Sequence, residues 1–314
     1  MKASVEILIP SFNRADFLCE AVRSALAQDY SRLSVIVSDN ASDFKVYETL
    51  KEFSHELRLK IFRNQSNLGM RSNWHLLLNG LATADWVMIL SDDDVLLDTS
   101  YITKVMSLVE KCASIALVWS NYSVYYEEKK KVKNTCFNIP PIISGRDYFF
   151  GYQDKYPHIH STMSVVFRRH LAIKVGAFQR DILGLDTELW LKLMKEGDVG
   201  FISDTSSMYR FHSINQQTVI VDEQKDLENA RCLKEIVTSY EGEFSFRELL
   251  EVEKRIIGRF FWWRLTQLSK TREGSKISSY IDSFVEHFPY LRSSFISKRG
   301  MYFVARRLLS FFRR

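Results

Sequence analysis

Four consecutive polar residues, Ser91-Asp92-Asp93-Asp94, follow the apolar run Trp86-Val-Met-Ile-Leu90, which reads as a buried strand. Three adjacent carboxylates at the end of a core strand repel one another and favour water. They persist together when positive charge lies against them, and for hard oxygen ligands the natural partner is a divalent cation. The competing reading is a solvated loop that caps a helix starting near Asp98. Other polar residues follow the neighbouring apolar runs: Ser11 and Asn13 after the first, Asp39 after the second, Asn64 after the third. Asn13, Asp39, Asp43 and Asp98 are all good helix-capping types, so each taken singly could serve a helix. Capping does not account for clustered acid without matching Lys or Arg.

Asp186 and Glu188 open a helical stretch, 185–196, that Gly197 ends. His158 and His160 alternate just before an apolar run. They read as a polar loop, with metal or ligand binding on one face as the alternative. No Gly-x-Gly-x-x-Gly follows the first strand and no Walker-type Gly-Lys-Ser/Thr occurs, which argues against dinucleotide oxidoreductases and P-loop enzymes. Bound phosphate would then need a cation rather than a glycine nest. Cys19, Cys112, Cys136 and Cys232 are scattered without metal-like spacing and read as free thiols of a reducing compartment.

The elements that must position these groups alternate through the first 120 residues. Strand signals at 5–9, 35–37, 59–62, 86–90 and 115–119 are separated by helical periodicity at 14–28, 44–53, 70–81 and 99–109. This is the pattern of βαβ units and a parallel sheet, an α/β fold whose polar strand ends gather on one edge, where open sheets bind ligands. Further on, 122–126, 161–167, 199–203 and 207–211 read as short strands. The charged run 127–133 reads as a loop or hairpin tip, and 138–143, with Pro140-Pro141, as a turn or linker. From Asp222 onward the pattern is wholly helical. The expected organisation is a domain at 1–221, with halves 1–120 and 121–221, and a helical region at 222–314.

The chain of 314 residues is 46% hydrophobic, enough to bury a full core. Its first strand begins almost at once, so no signal peptide is expected, and no apolar run is long enough for a transmembrane helix. Net charge is +5, but the segment from His287 to the end carries seven Lys or Arg and no acid, leaving −2 for residues 1–286. At helical spacing, Met301, Val304, Ala305, Leu308, Leu309, Phe311 and Phe312 fall on one side of the tail and Arg306, Arg307, Arg313 and Arg314 on the other. A basic amphipathic helix of this kind reads as lying on a membrane surface; packing on the body of the protein is the alternative. Phe260-Phe-Trp-Trp263 reads as core, a contact between copies in a homo-oligomer, or part of the same membrane surface. The neutral body and the lack of a recognised motif argue against nucleic acid.

Six segments, in order, resemble family 2 glycosyltransferases: Val5-Glu-Ile-Leu-Ile-Pro-Ser-Phe-Asn-Arg14, Ile36-Val-Ser-Asp-Asn-Ala-Ser-Asp43, Asn67-Leu-Gly69, Ile89-Leu-Ser-Asp-Asp-Asp94, Gly184-Leu-Asp-Thr-Glu-Leu-Trp-Leu-Lys192 and Tyr209-Arg-Phe-His212. The resemblance covers 5–212 and not the helical third. It departs from the family pattern at Ser91, which replaces the first acid of the Asp-rich run, at Leu185, which replaces a Glu, and at Ala41, which replaces a Gly.

The resemblance implies a GT-A fold, with a nucleotide-sugar half and an acceptor half. It implies a nucleotide-sugar donor, most often a UDP-sugar, a divalent metal (Mn2+ or Mg2+) and inversion at the anomeric carbon. Carried over by motif, Ser11, Asn13, Asp39, Arg71 and Asp92 would bind the donor. Asp93, assisted by Asp94 and His212, would hold the metal. Asp186 would be the base, and Glu188 would position the acceptor. A diphosphate leaves readily only when its developing charge is neutralised, and inversion needs one base for the acceptor hydroxyl. A helix N-terminus favours negative charge at Asp186; a purely helix-stabilising acid is the alternative. The expected function is sugar transfer to a saccharide or lipid-linked acceptor in bacterial surface polysaccharide (O-antigen or capsule) synthesis, in the cytoplasm at the inner membrane face. A sugar-nucleotide nucleotidyltransferase and a non-catalytic membrane-associated carbohydrate-binding module stay open. The first of these would want a Gly-rich basic loop where Pro10-Ser-Phe-Asn-Arg14 stands.

Overall fold

The structure is a computed structural model and describes residues 2–212, 221–269 and 274–294. The chain divides into two compact units. One is built from 1–149, 156–181 and 185–213, the other from 150–155, 182–184 and 214–314.

The first unit is the α/β fold expected from the alternation. In chain order it runs β1 (Val5–Ser11), α1 (Ala15–Leu26), β2 (Leu33–Asp39), α2 (Val46–Thr49), β3 (Leu59–Arg63), α3 (Met70–Leu76), β4 (Trp86–Ile89), β5 (Val95–Leu96) and α4 (Tyr101–Lys111). It continues with β6 (Ile115–Tyr126), β7 (Lys131–Asn134), β8 (Ile142–Ile143), α5 (Gly145–Gly151), β9 (Val165–Arg168), α6 (Arg169–Lys174), α7 (Leu185–Glu196) and β10 (Asp198–Phe211). The sheet order is β3-β2-β1-β4-β9-β6-β10-β5, with β7 beside β6 and β8 beside β10. β3, β2, β1 and β4 are parallel, so their carboxyl ends share one edge. β1 is central and closed on both faces, so it is apolar except for Glu6, which is buried and accepts from the Thr83 and Ala84 amides. α1 covers it with Leu18, Ala21, Val22, Ala25 and Leu26, spaced three and four residues apart so that all lie on one face. Leu18 is fully buried, and its truncation to Ala would cost about 2–5 kcal/mol.

Several elements differ from the sequence pattern. The run 199–203 and the run 207–211 form one strand, β10, whose register against β6 shifts on both sides of Thr205. Exposed residues at that irregularity break the alternation; bulges of this kind re-aim side chains. The runs 115–119 and 122–126 are likewise one strand. Ser120 and Asn121 stay inside it because their side chains are satisfied there, Ser120 by the Ser206 hydroxyl and Asn121 by the carbonyls of Phe137 and Ser203. The linker at 138–143 ends in β8. α5 and α6, which carry no strong periodicity, are helices. The helix expected at 70–81 is α-helical only to Leu76 and closes with a π-turn, Leu77–Leu81.

The second unit is helical: α8 (Glu223–Thr238), α9 (Phe246–Leu268), α10 (Gly274–His287) and α11 (Leu291–Ser294). Asp222 caps α8, and a Ser245/Glu248 capping box opens α9. Phe261 packs on Tyr280 and Phe284, and Trp262 is also buried. Phe261 and Trp262 are therefore core, while Phe260 is half-buried and Trp263 exposed. No described helix is long and apolar enough to cross a membrane. The basic amphipathic segment 301–314 lies outside the described residues.

Candidate active site

The register of β1, β2 and β4 brings Ser11, Asp39 and the acid triplet to the same sheet edge. The triplet is not solvated. Asp92, Asp93 and Asp94 are 3%, 6% and 1% exposed, so the capping-loop reading fails. A turn closed by the Asp94 amide on the Ser91 carbonyl folds them inward. Asp92 accepts from the Phe12 amide at 3.1 Å and from Arg14 at 2.9 Å. Asp93 Oδ2 lies 2.9 Å from Arg14 Nη1 and 3.0 Å from His212 Nε2. Asp94 Oδ1 accepts the Arg210 amide at 3.0 Å, while its Oδ2 is buried without a partner, as is the Ser11 hydroxyl.

Burial pushes the Asp92 carboxyl up to about 6 against the pull of Arg14, and burial with the Asp93 charge pushes Asp94 well above the ordinary range. Burial thus opposes full ionisation of the triplet, and at Asp94 the neighbouring Asp93 charge opposes it further.

The acids do have a matching Arg, contrary to the sequence pattern. Arg14, at the end of the β1–α1 loop, bridges Asp92 and Asp93. Arg210 adds its backbone to Asp94, its Nε to the Asp93 carbonyl, and an ion pair to Glu20, while stacking over Phe17. Both arginines stand in segments singled out for other residues. The signal that finds them is a charged residue placed at the same edge as an acid cluster by strand register.

The remaining candidates fall into two groups. Near the nucleotide half, Asp39 is fully buried and paired with Arg63 at 2.6 Å, so it pins the loop after β2. Asn13, at φ +55°, exchanges hydrogen bonds with Asp43 and ties the β1–α1 loop to that same loop. Arg71, on α3, donates to the carbonyls of Phe178 and Gln179. Asn73 joins Asn40, Asn64 and Asn67 in a network that fixes the turn at Gly69, whose φ is +78°.

On the other side, Asp186 is half-buried in the first turn of α7 and accepts from the Thr187 amide. Glu188 is buried and bonded to Lys192 at 2.6 Å one turn along. Tyr209 links the two sides. Burial pushes its phenol up, and the charges of Asp94, Asp93 and Asp186 all add to the shift. His160 lies across Tyr209 and stacks on Tyr122. Burial lowers its imidazole, against the opposing charge of Asp186. His158 reaches the Thr187 hydroxyl at 3.4 Å. The two histidines thus lie in a loop, as the sequence suggests, and that loop runs beside the acid of α7.

A divalent cation suits the donor set chemically: hard carboxylate oxygens, one imidazole, and an orphaned buried oxygen on Asp94. Among the described residues no three His, Cys, Asp or Glu converge tightly enough to hold one as placed. Side-chain movement of Asp93 or Asp94 would be required.

The description Glycosyl transferase family 2 matches residues 6–173, more than half of the chain. A Campylobacter jejuni protein, GalNAc(5)-diNAcBac-PP-undecaprenol beta-1,3-glucosyltransferase, is 27% identical over 198 residues, 61% of this chain but only 60% of its own length. An Escherichia coli protein, UDP-Glc:alpha-D-GlcNAc-diphosphoundecaprenol beta-1,3-glucosyltransferase WfaP, is 26% identical over 194 residues, 62% of this chain and 71% of that one. Among solved structures, residues 1–349 of Staphylococcus aureus TarS in complex with UDP-GlcNAc match with a TM-score of 0.72 at 13% identity, over 90% of this chain and 80% of theirs. The mannosyltransferase PcManGT of Pyrobaculum calidifontis, in complex with GDP-Man and Mn2+, matches at 0.56 and 15%, over 98% and 88%. At such identities the likeness is one of fold, and that fold is GT-A.

Proposed function

The chain belongs to glycosyl transferase family 2, and from that premise we propose that it moves a sugar from a nucleoside diphosphate sugar to a hydroxyl of a saccharide carried on a lipid diphosphate. The observation that carries the reading is the buried acid triplet at the carboxyl edge of the sheet, with Asp94 Oδ2 and Ser11 Oγ left without partners. Buried acids whose carboxyls are pushed up by burial and by one another cluster at sites that bind or react. The names of the two glucosyltransferase relatives support the lipid-linked acceptor, and that of the Escherichia coli relative supports UDP-glucose as the donor.

Each residue then has a task. Asp93, flanked by His212, and Asp94 would hold a divalent cation, which supplies Lewis-acid relief of charge on the departing diphosphate. Asp92, fixed by the Phe12 amide and Arg14, faces the ribose or sugar. Ser11 presents its hydroxyl to the donor. Asp39 and Asn13 shape the donor loops through Arg63 and Asp43 and touch the nucleotide, if at all, only through those loops. Asp186 takes the proton from the acceptor hydroxyl as that oxygen attacks the anomeric carbon from the face opposite the diphosphate, inverting it. Glu188 positions the first turn of α7 through Lys192. The lipid carrier would bring the chain to a membrane surface, where the basic tail adds attraction to anionic lipid.

Turnover of a panel of UDP-sugars with lipid-linked acceptors, with and without Mn2+, tests the reading. It expects UDP release that needs Mn2+ and is lost in Asp93→Asn and Asp186→Asn. Full turnover by both variants would overturn it.

A further inference from the structure

We propose that Arg14 is a resident cation of the acid triplet, which it yields to a divalent metal only when a nucleoside diphosphate arrives to take its guanidinium. Metal binding would thereby be conditional on donor. The inference rests on the metal-assisted reading given above.

Three features carry it. First, the contacts of Arg14 with Asp92 Oδ1 and Asp93 Oδ2, both 2.9 Å, are made by one nitrogen, Nη1. A guanidinium bound for good to a carboxylate favours two parallel hydrogen bonds through its fork. One nitrogen between two carboxylates acts instead as a point cation. Second, Asp93 Oδ2 is contested. Arg14 and His212 stand 2.9 and 3.0 Å from that same oxygen. A metal bonded to it at about 2.0–2.2 Å would collide, sterically and by charge, with a guanidinium so close. Arg14 and the metal therefore exclude each other at Asp93. Third, Arg14 can move without the fold moving. It sits at the N-cap of α1, where its side chain makes no capping bond, and is 23% exposed on a long flexible stem.

A diphosphate is the ligand that shifts this balance. It offers the guanidinium the planar, bidentate oxygen pairs it prefers, and it offers the metal further oxygen ligands. The exchange takes from the guanidinium both of its carboxylate partners, so it becomes favourable when the entering diphosphate supplies new ones.

The test is Mn2+ binding to the full chain, followed by the electron paramagnetic resonance signal of free Mn2+, with and without UDP. For the natural protein, UDP should tighten Mn2+ binding about tenfold or more, which is about 1.4 kcal/mol or more. Arg14→Gln should bind Mn2+ about tenfold tighter than the natural protein when UDP is absent, and UDP should add little further. Arg14→Lys keeps the charge but places a shorter, single ammonium, so its affinity should fall between the two. It carries the test if the Gln variant does not fold. Mn2+ affinity without UDP that is equal or weaker in both variants would overturn the role of Arg14 alone. Failure of every protein to bind Mn2+, with UDP or without, would overturn the metal-assisted reading and the inference with it.

Discussion

Two buried Asp–Arg clusters in this chain differ in one respect. In the helical unit Asp226 meets Arg264 at 2.8 Å and the Tyr280 hydroxyl at 3.0 Å: one acid, one base, one phenol. At the carboxyl edge of the sheet, three acids are set against the one Arg14 guanidinium. Burial raises the Asp226 carboxyl too, but Arg264 and Tyr280 both pull against it. At Asp94 the next force after burial is another acid, Asp93, which pushes the same way. The first cluster is balanced by its own neighbours; the second is the one proposed to take a cation.

Substitutions can break that contrast. Asp93→Asn should lower kcat by about 1,000-fold or more, roughly 4 kcal/mol of barrier. Its melting temperature should hold or rise, because one repelling charge is gone. Asp186→Asn should cost about 100- to 10,000-fold in kcat with UDP affinity unchanged, measured by steady-state kinetics and by UDP titration. Asp226→Ala should do the reverse. Losing one partner of a buried pair costs about 3–5 kcal/mol of stability, read from urea unfolding, while the folded fraction keeps its kcat. A variant at Asp226 that loses activity at full stability, or one at Asp93 that unfolds, would erase the contrast.

A pH series sharpens it. Without ligand, the folded chain holds the Asp92 proton up to about pH 6, against 3.8 for a free carboxyl. Between those values the folded state binds the proton more tightly than the unfolded chain. The contribution of Asp92 is therefore present below the unfolded value and lost as pH rises through 6. The stability gap between Asp92→Asn and the natural protein should move toward the variant by about 2–3 kcal/mol from pH 4 to 7. A constant gap would mean that burial does not hold the proton on Asp92. The smallest effect is expected at Ala41, held at φ +62° where the family pattern has Gly. Ala41→Gly should change stability by about 1 kcal/mol or less, toward greater stability, with no change in kcat.

How much of this the sequence carries depends on distance along the chain. β1, α1 and α7 are local patterns and were readable. So was the triplet, since its three acids are adjacent. Arg14 was hidden because it lies 78 residues from Asp92, and only the β1–β4 register brings them together. β10 was split in two because its register shifts at Thr205 interrupt the alternation while the backbone pairing continues. Asp39 and Glu188 have the residue types of a site, yet each is committed to a basic neighbour, Arg63 or Lys192, that periodicity does not reveal. Ala41 shows the opposite case: its departure from the family's Gly already marked the position whose backbone is left-handed.

The most direct test of the account is a thermal melt of the natural protein and Asp93→Asn, each with Mn2+, with UDP, and with both. The account predicts that the pair of ligands raises the melting temperature of the natural protein by several degrees, as about 2.7 kcal/mol of binding at a hundredfold excess over Kd would. It predicts no such rise in Asp93→Asn. An equal rise in both proteins would contradict it.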